Sequence, residues 1–136
     1  WKAPLANVKP PFDFVVSALG AAGALLPSVD QISATELRKG LVQQLATMGQ
    51  PLLRPPGPDG WDNAPESWIT PPLLAARIGW AGALAERIAP DHDPRAFLTS
   101  TLGDAASEQL TFAVNGAESR TEGIALTLVS PEFNRR

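Results

Sequence analysis

The chain has no cysteine, a single histidine, and charged side chains at only 18% of its 136 positions. Each shortage closes off a kind of chemistry. Without cysteine there is no disulfide, no thiolate metal site and no cysteine nucleophile, and the absence fits a reducing or an oxidising compartment equally. A net charge of −3 and a pI near 5.0 lack the basic footprint that nucleic-acid binding requires, so no nucleic acid is expected as a partner. No nucleophile elbow, phosphate-binding loop, dinucleotide fingerprint or zinc-protease helix motif occurs, and no catalytic residue or cofactor site is legible. Long apolar runs are missing too. The uncharged run Val15 to Leu26 falls well short of the roughly 20 residues that span a bilayer. Nor does it suit a signal peptide, because Pro10, Pro11 and Asp13 stand where a basic segment belongs.

What is present describes a helical protein. Hydrophobic residues at 44% are enough for one globular domain over residues 1–136. Phe12, Val15, Val16, Leu19, Gly23 and Leu26 recur at helical spacing, with Pro11 suited to a first turn and Pro27 to termination. Gly20 and Gly23 on that face predict a close approach by another helix. Ser33 to Glu36 reads as a capping box ahead of Leu37, Leu41, Leu45 and Met48, with Gly49 as a left-handed stop. Thr70-Pro71 opens the longest helix, whose face carries Leu73, Leu74, Arg77, Ile78, Ala81, Leu84 and Ile88. Asp93-Pro94 begins a short helix with Phe97 and Leu98. Asp104 is the expected cap of the next, which bears Leu110, Phe112, Ala113 and Val114 up to an Asn115-Gly116 turn. Ile124 to Val129 fits a strand or a helix; with no partner strand elsewhere, helix is the reading. Ser130-Pro131-Glu132 then starts a final turn that packs Phe133 and leaves residues 134–136 to fray. The expectation is an all-α, irregular multi-helix bundle of five to seven helices.

Between the second and third of these helices lies "GQPLLRPPGPDGWDNAPESWITPP", Gly49 to Pro72, which holds seven of the 14 prolines and two of the four tryptophans. Fixed proline φ makes such a segment stiff, and Gly57 and Gly60 permit reversals around Pro58-Asp59-Gly60. A long ordered connection in a compact domain either binds something or is held down by its own apolar residues, and the two readings are compatible. Leu52, Leu53, Trp61 and Trp68 are expected to pin it. Arg54, Asp59, Trp61, Asp62, Asn63, Glu66 and Trp68 are the candidate ligand- or partner-binding residues.

Other constellations read as structural. Asp91-His92-Asp93 lacks the further ligands a metal site needs and is expected to be a polar turn and cap. Asp59, Asp62 and Glu66 match no calcium-loop spacing, and no metal is expected. Arg77, in an apolar helix face, either snorkels or pairs with an acid such as Asp62 or Glu66. Ser17, Ser100 and Ser107 have no base near them in sequence.

The ordered series "PPFDFVVSALGAAG", "MGQPLLRPPGPDGW", "WITPPLLAARIGWA" and "SPEFNRR" resembles the C-terminal portion of the bacterial family known as domain of unknown function 1800, over nearly the whole chain. The resemblance implies a predominantly helical fold, a parent chain several times longer than this one, export to the periplasm or beyond, and a sulfatase-like partner encoded nearby. It supplies no catalytic residues. With Trp1 as first residue, the chain then reads as a fragment, and an exposed apolar patch is expected near the first helix. Two functions follow from this reading. One is a non-catalytic helical subdomain whose 49–72 segment recognises a partner or a polymer, with the remainder of the parent chain expected among its partners. The other is part of a hydrolase-like active site completed by a preceding region.

Overall fold

The computed structural model describes residues 7–23, 34–62 and 64–135, with side chains in the second helix described from residue 40. Among these residues the fold is all-α, with seven α-helices and no strand. They are α1 (Pro11–Ala22), α2 (Ala34–Thr47), α3 (Pro71–Ile88), α4 (Pro94–Leu102), α5 (Glu108–Asn115), α6 (Arg120–Val129) and α7 (Pro131–Asn134), joined in part by short 3₁₀ turns. Four of the seven begin on proline, whose missing N–H costs nothing in a first turn and whose φ is already helical. Ser33, Leu26 and Pro27 at the end of the first helix, and Asn63 lie outside the described residues, as do the side chains of Glu36 and Leu37, so the expected capping box and that part of the second helix face are not described. The chain divides into two compact units, one drawn from the chain up to Arg77 and the other spanning Ile78–Arg135.

The second unit is built by local rules. Asp93, Ser107, Ser119 and Ser130 each cap the helix that follows, accepting from the amides of Ala96, Leu110, Glu122 and Phe133 at 3.1–3.2 Å. Ser107 therefore starts α5; the expected cap, Asp104, sits instead in a 3₁₀ turn, Gly103–Ala105, one step earlier. The segment 124–129 is helical, as the lack of a partner strand required. Helices α4, α5 and α6 pack on one another around Leu98, Leu110 and Val114, with Leu102, Ala106 and Leu126 against them. Gly123 lets α6 approach the start of α4. A Cβ there would stand 2.7 Å from the Pro94 Cβ, closer than real side chains come. Phe112 departs from the expected face and is 82% exposed, because Leu110 and Val114 already form the buried edge of the short α5. Residue 134 does not fray. The buried Asn134 amide donates to the carbonyls of Leu128 (3.0 Å) and Ser130 (2.9 Å), satisfying acceptors that the end of α6 leaves open.

The first unit is organised differently. Helix α2 ends in a Schellman pair of bonds: the Gly49 amide donates to Ala46 and the Gln50 amide to Leu45, at 3.0 and 2.8 Å. Gly49 adopts φ 93, and a Cβ on it would press to 3.1 Å from Leu73 in the first turn of α3. Helix α1 buries Pro11, Phe14, Val15, Ala18 and Ala22. The expected stripe through Phe12, Val16 and Gly23 is thus rotated outward: Phe12 and Val16 are 47% and 52% exposed. Gly23 is the left-handed C-cap, and among the described residues a Cβ at Gly20 or Gly23 would meet nothing, so no described helix uses either glycine for a close approach.

Candidate functional site

The segment from Gln50 to Thr70 is ordered by a few side chains that reach across it. Gln50 lies immediately past the end of α2, and its Oε1 accepts the Phe12 amide at 2.7 Å. One residue thus closes α2 with its backbone and caps α1 with its side chain, fixing where the segment leaves the helices. Two turns follow. The Arg54 amide donates to Pro51 (3.2 Å), and the Gly60 amide donates to Gly57 (3.1 Å) around the anticipated Pro58-Asp59 corner.

Asp62 organises the far end. Its Oδ1 accepts from the Ala64 amide at 2.9 Å, its Oδ2 from the Ser67 hydroxyl at 2.6 Å, and its carbonyl from the Trp68 indole N–H at 2.9 Å. Trp68 is buried, and its N–H is satisfied, as a buried indole requires. Trp61 lies against it with ring centroids 6.0 Å apart and planes tilted at 54°.

A second anchor lies beneath. The guanidinium of Arg77 is buried, donates from Nη2 to the Lys9 carbonyl at 2.7 Å, and stands 5.2 Å over the Phe14 ring. Desolvation lowers its pKa to about 10, so it remains a cation at neutral pH. This fixes the chain entering α1 to the first turns of α3. Burial also lowers the Lys9 pKa, partly offset by the Asp13 carboxylate.

On the outer side, within this first unit, is a groove of about 480 Å³ lined by Pro10, Phe12, Asp13, Leu45, Gln50, Leu52, Leu53, Pro55, Gly60 and Trp61. Its walls are mostly apolar, and Asp13 is the one charged residue among the described residues that line it. Leu53 is the residue out of place. At the third position of the Pro51–Arg54 turn it takes φ 60, a left-handed conformation that a glycine or asparagine ordinarily supplies, and its side chain is 89% exposed. The expectation that Leu52 and Leu53 hold the segment down is therefore corrected: both are exposed, and the pinning falls to Trp68, Asp62 and Gln50.

The predicted residues separate into three groups. Arg54, Asp59 and Glu66 are exposed, and Trp61 is half-buried in the groove wall. Asp62 is exposed but spent on the segment itself, as acceptor for Ala64 and Ser67, and Trp68 is buried beneath Trp61. Phe12, Asp13, Gln50 and Leu53 line the groove without having been singled out as binding residues. The uncharged outer face of α1 and the position of Gln50 directly after a glycine stop were the available signals.

Elsewhere, His92 Nδ1 lies 2.9 Å from the Ile88 carbonyl and its ring meets Phe97 edge-on, which makes Asp91-His92-Asp93 the polar turn and cap that its prolines suggested. Among the described residues, no three His, Cys, Asp or Glu side chains converge as metal ligands would, and no helix is long and apolar enough to cross a membrane.

Comparison with known proteins returns no similar curated protein and no similar solved structure. One family matches, over residues 1–135, under the description "Protein of unknown function (DUF1800)". The order of the helices and the proline-tryptophan segment belong to that match, which covers essentially the whole chain, and this protein is a member of the DUF1800 family.

Proposed function

We propose that this chain is a non-catalytic helical part of an exported protein, and that the 50–68 segment with the outer face of α1 is its surface for recognising a partner or a polymer. The observation that carries the reading is the conjunction at Leu53 of a strained backbone with an exposed large apolar side chain at the rim of a groove. Either feature alone is common enough. The strained conformation costs stability and no burial of the side chain offsets it, and such strain persists in proteins where the exposed group is used. Arg54, Asp59 and Glu66 surround the groove segment with charge that folding does not use in any described hydrogen bond.

The test is retention of the tagged full-length protein on two surfaces, a sulfatase-like protein encoded beside it and a panel of insoluble polysaccharides. Trp61→Ala and Asp59→Asn should lower retention on whichever surface binds. Retention that is absent on both, or identical for wild type and variants, counts against the reading. Fractionation of cells carrying the tagged protein tests export separately, the expected location being the periplasm or medium.

A further inference from the structure

The walls of the groove specify what kind of occupant suits it, given that this face is a binding surface. We propose that it receives an extended segment of a protein partner in which apolar side chains stand beside a lysine or arginine.

Three observations lead there. First, the lining is aliphatic, aromatic and proline-rich, with Phe12, Leu45, Leu52, Leu53, Pro55 and Trp61 contributing most of it. At about 480 Å³ it is within the size range of sites that bury small groups, and large enough for several side chains. A sugar is poorly served by it. Each hydroxyl removed from water needs a hydrogen-bond partner, while the polar side chains among the described lining residues are one carboxylate and one amide, whose oxygen is already bonded to the Phe12 N–H. Apolar peptide side chains need no such partners.

Second, charge favours a cation. Asp13 is the charged group in the lining, and although Lys9 faces it, a carboxylate has acceptor sites for more than one donor. The 49–72 stretch itself carries one cation, Arg54, against three carboxylates, Asp59, Asp62 and Glu66. The face is therefore net acidic. Complementary charge gives register and a faster encounter, and apolar burial gives the hold.

Third, the apolar track is extended, not a closed pit. Leu53 projects at one rim, and on α1 Phe12 is followed one turn later by Val16, both exposed. An extended peptide presents side chains along a line and can cover such a track, with Leu53 as an anchor that partner contact removes from water.

A random-peptide display library selected on the immobilised full-length protein, after depletion on the Leu53→Gly variant, tests this. Glycine suits the left-handed turn, so that variant keeps the fold while losing the anchor. Enriched clones should carry Leu, Ile, Val, Phe or Trp next to Lys or Arg. Their fluorescently labelled peptides should bind about tenfold more weakly to Leu53→Gly, the scale of a lost anchor residue. Asp13→Asn should bind several-fold more weakly and with less dependence on salt. Phe112→Ala, an exposed aromatic in the other unit, should bind as wild type does, which separates the groove from general stickiness. Enrichment of acidic peptides, or of none after depletion, overturns the inference. Binding of hexasaccharides that Trp61→Ala abolishes, without peptide enrichment, overturns it too but leaves the proposed function standing. Failure of peptides and sugars alike removes both.

Discussion

The two units of this chain are held by different kinds of instruction. In the second, α4 to α7 are each capped by the residue directly before them, and the bonds that define their starts span three positions. In the first, the cap of α1 comes from Gln50, 38 positions away, and Arg77 reaches the Lys9 carbonyl across 68. Local caps fix where a helix starts, while packing supplies the stability of helices this short. Distant ones make a surface whose shape depends on the whole unit being folded, and the groove is made of such parts. A unit specified locally and a unit specified non-locally thus differ in how far the effect of a single substitution spreads.

The largest effect that sharpens this comparison is expected at Trp68. Replacing it with alanine empties a buried site, leaves the Asp62 carbonyl without its donor, and should lower stability by about 3–5 kcal/mol in denaturant titration. Trp61→Ala, from a half-buried position, should cost clearly less. The same loss at both tryptophans would mean that Trp61 is core rather than groove wall. In the second unit, Gly123→Ala drives a methyl into Pro94 and should cost about 1–3 kcal/mol, with Pro94→Ala partly restoring the double variant.

Asp62→Ala should cost about 1–2 kcal/mol, because two donors lose their acceptor. Asp59→Ala should stay within about 0.5 kcal/mol, as surface changes do. Equal effects at the two aspartates would remove Asp62 as the bracket of the segment. Smaller still is the cap comparison. Ser107→Ala should cost about 1 kcal/mol and disturb amide exchange only around α5. Gln50→Ala should cost about as much, yet raise exchange both at the start of α1 and in the turns that follow Gln50. If its effect stays within one element, the contrast between local and distant instruction fails.

The same contrast explains what could be read from the sequence. Pro11, Pro71, Pro94 and Pro131 mark helix starts because proline's geometry acts on its own residue, and Ser130 and Gly49 act within one turn. The faces of α1 were not legible. Phe12 and Val16 are as apolar as Phe14 and Val15, so periodicity offered two stripes and only packing selects between them. Asp62 looked like a solvated loop acid, since its partners Ala64 and Ser67 are ordinary residues until the turn folds. Leu53 gave no signal at all. A left-handed turn normally announces itself by glycine or asparagine, and here leucine holds that position.

The account stands most directly on that residue, and the thermal melting of Leu53→Gly tests it. If Leu53 is strained and turned to solvent, glycine relieves the conformation and removes exposed apolar surface without opening a cavity, so the melting temperature should hold or rise slightly, a gain of up to about 1 kcal/mol after the added chain entropy of glycine. A fall of several degrees would show that Leu53 packs against the fold, and the outward-facing anchor would be lost with it.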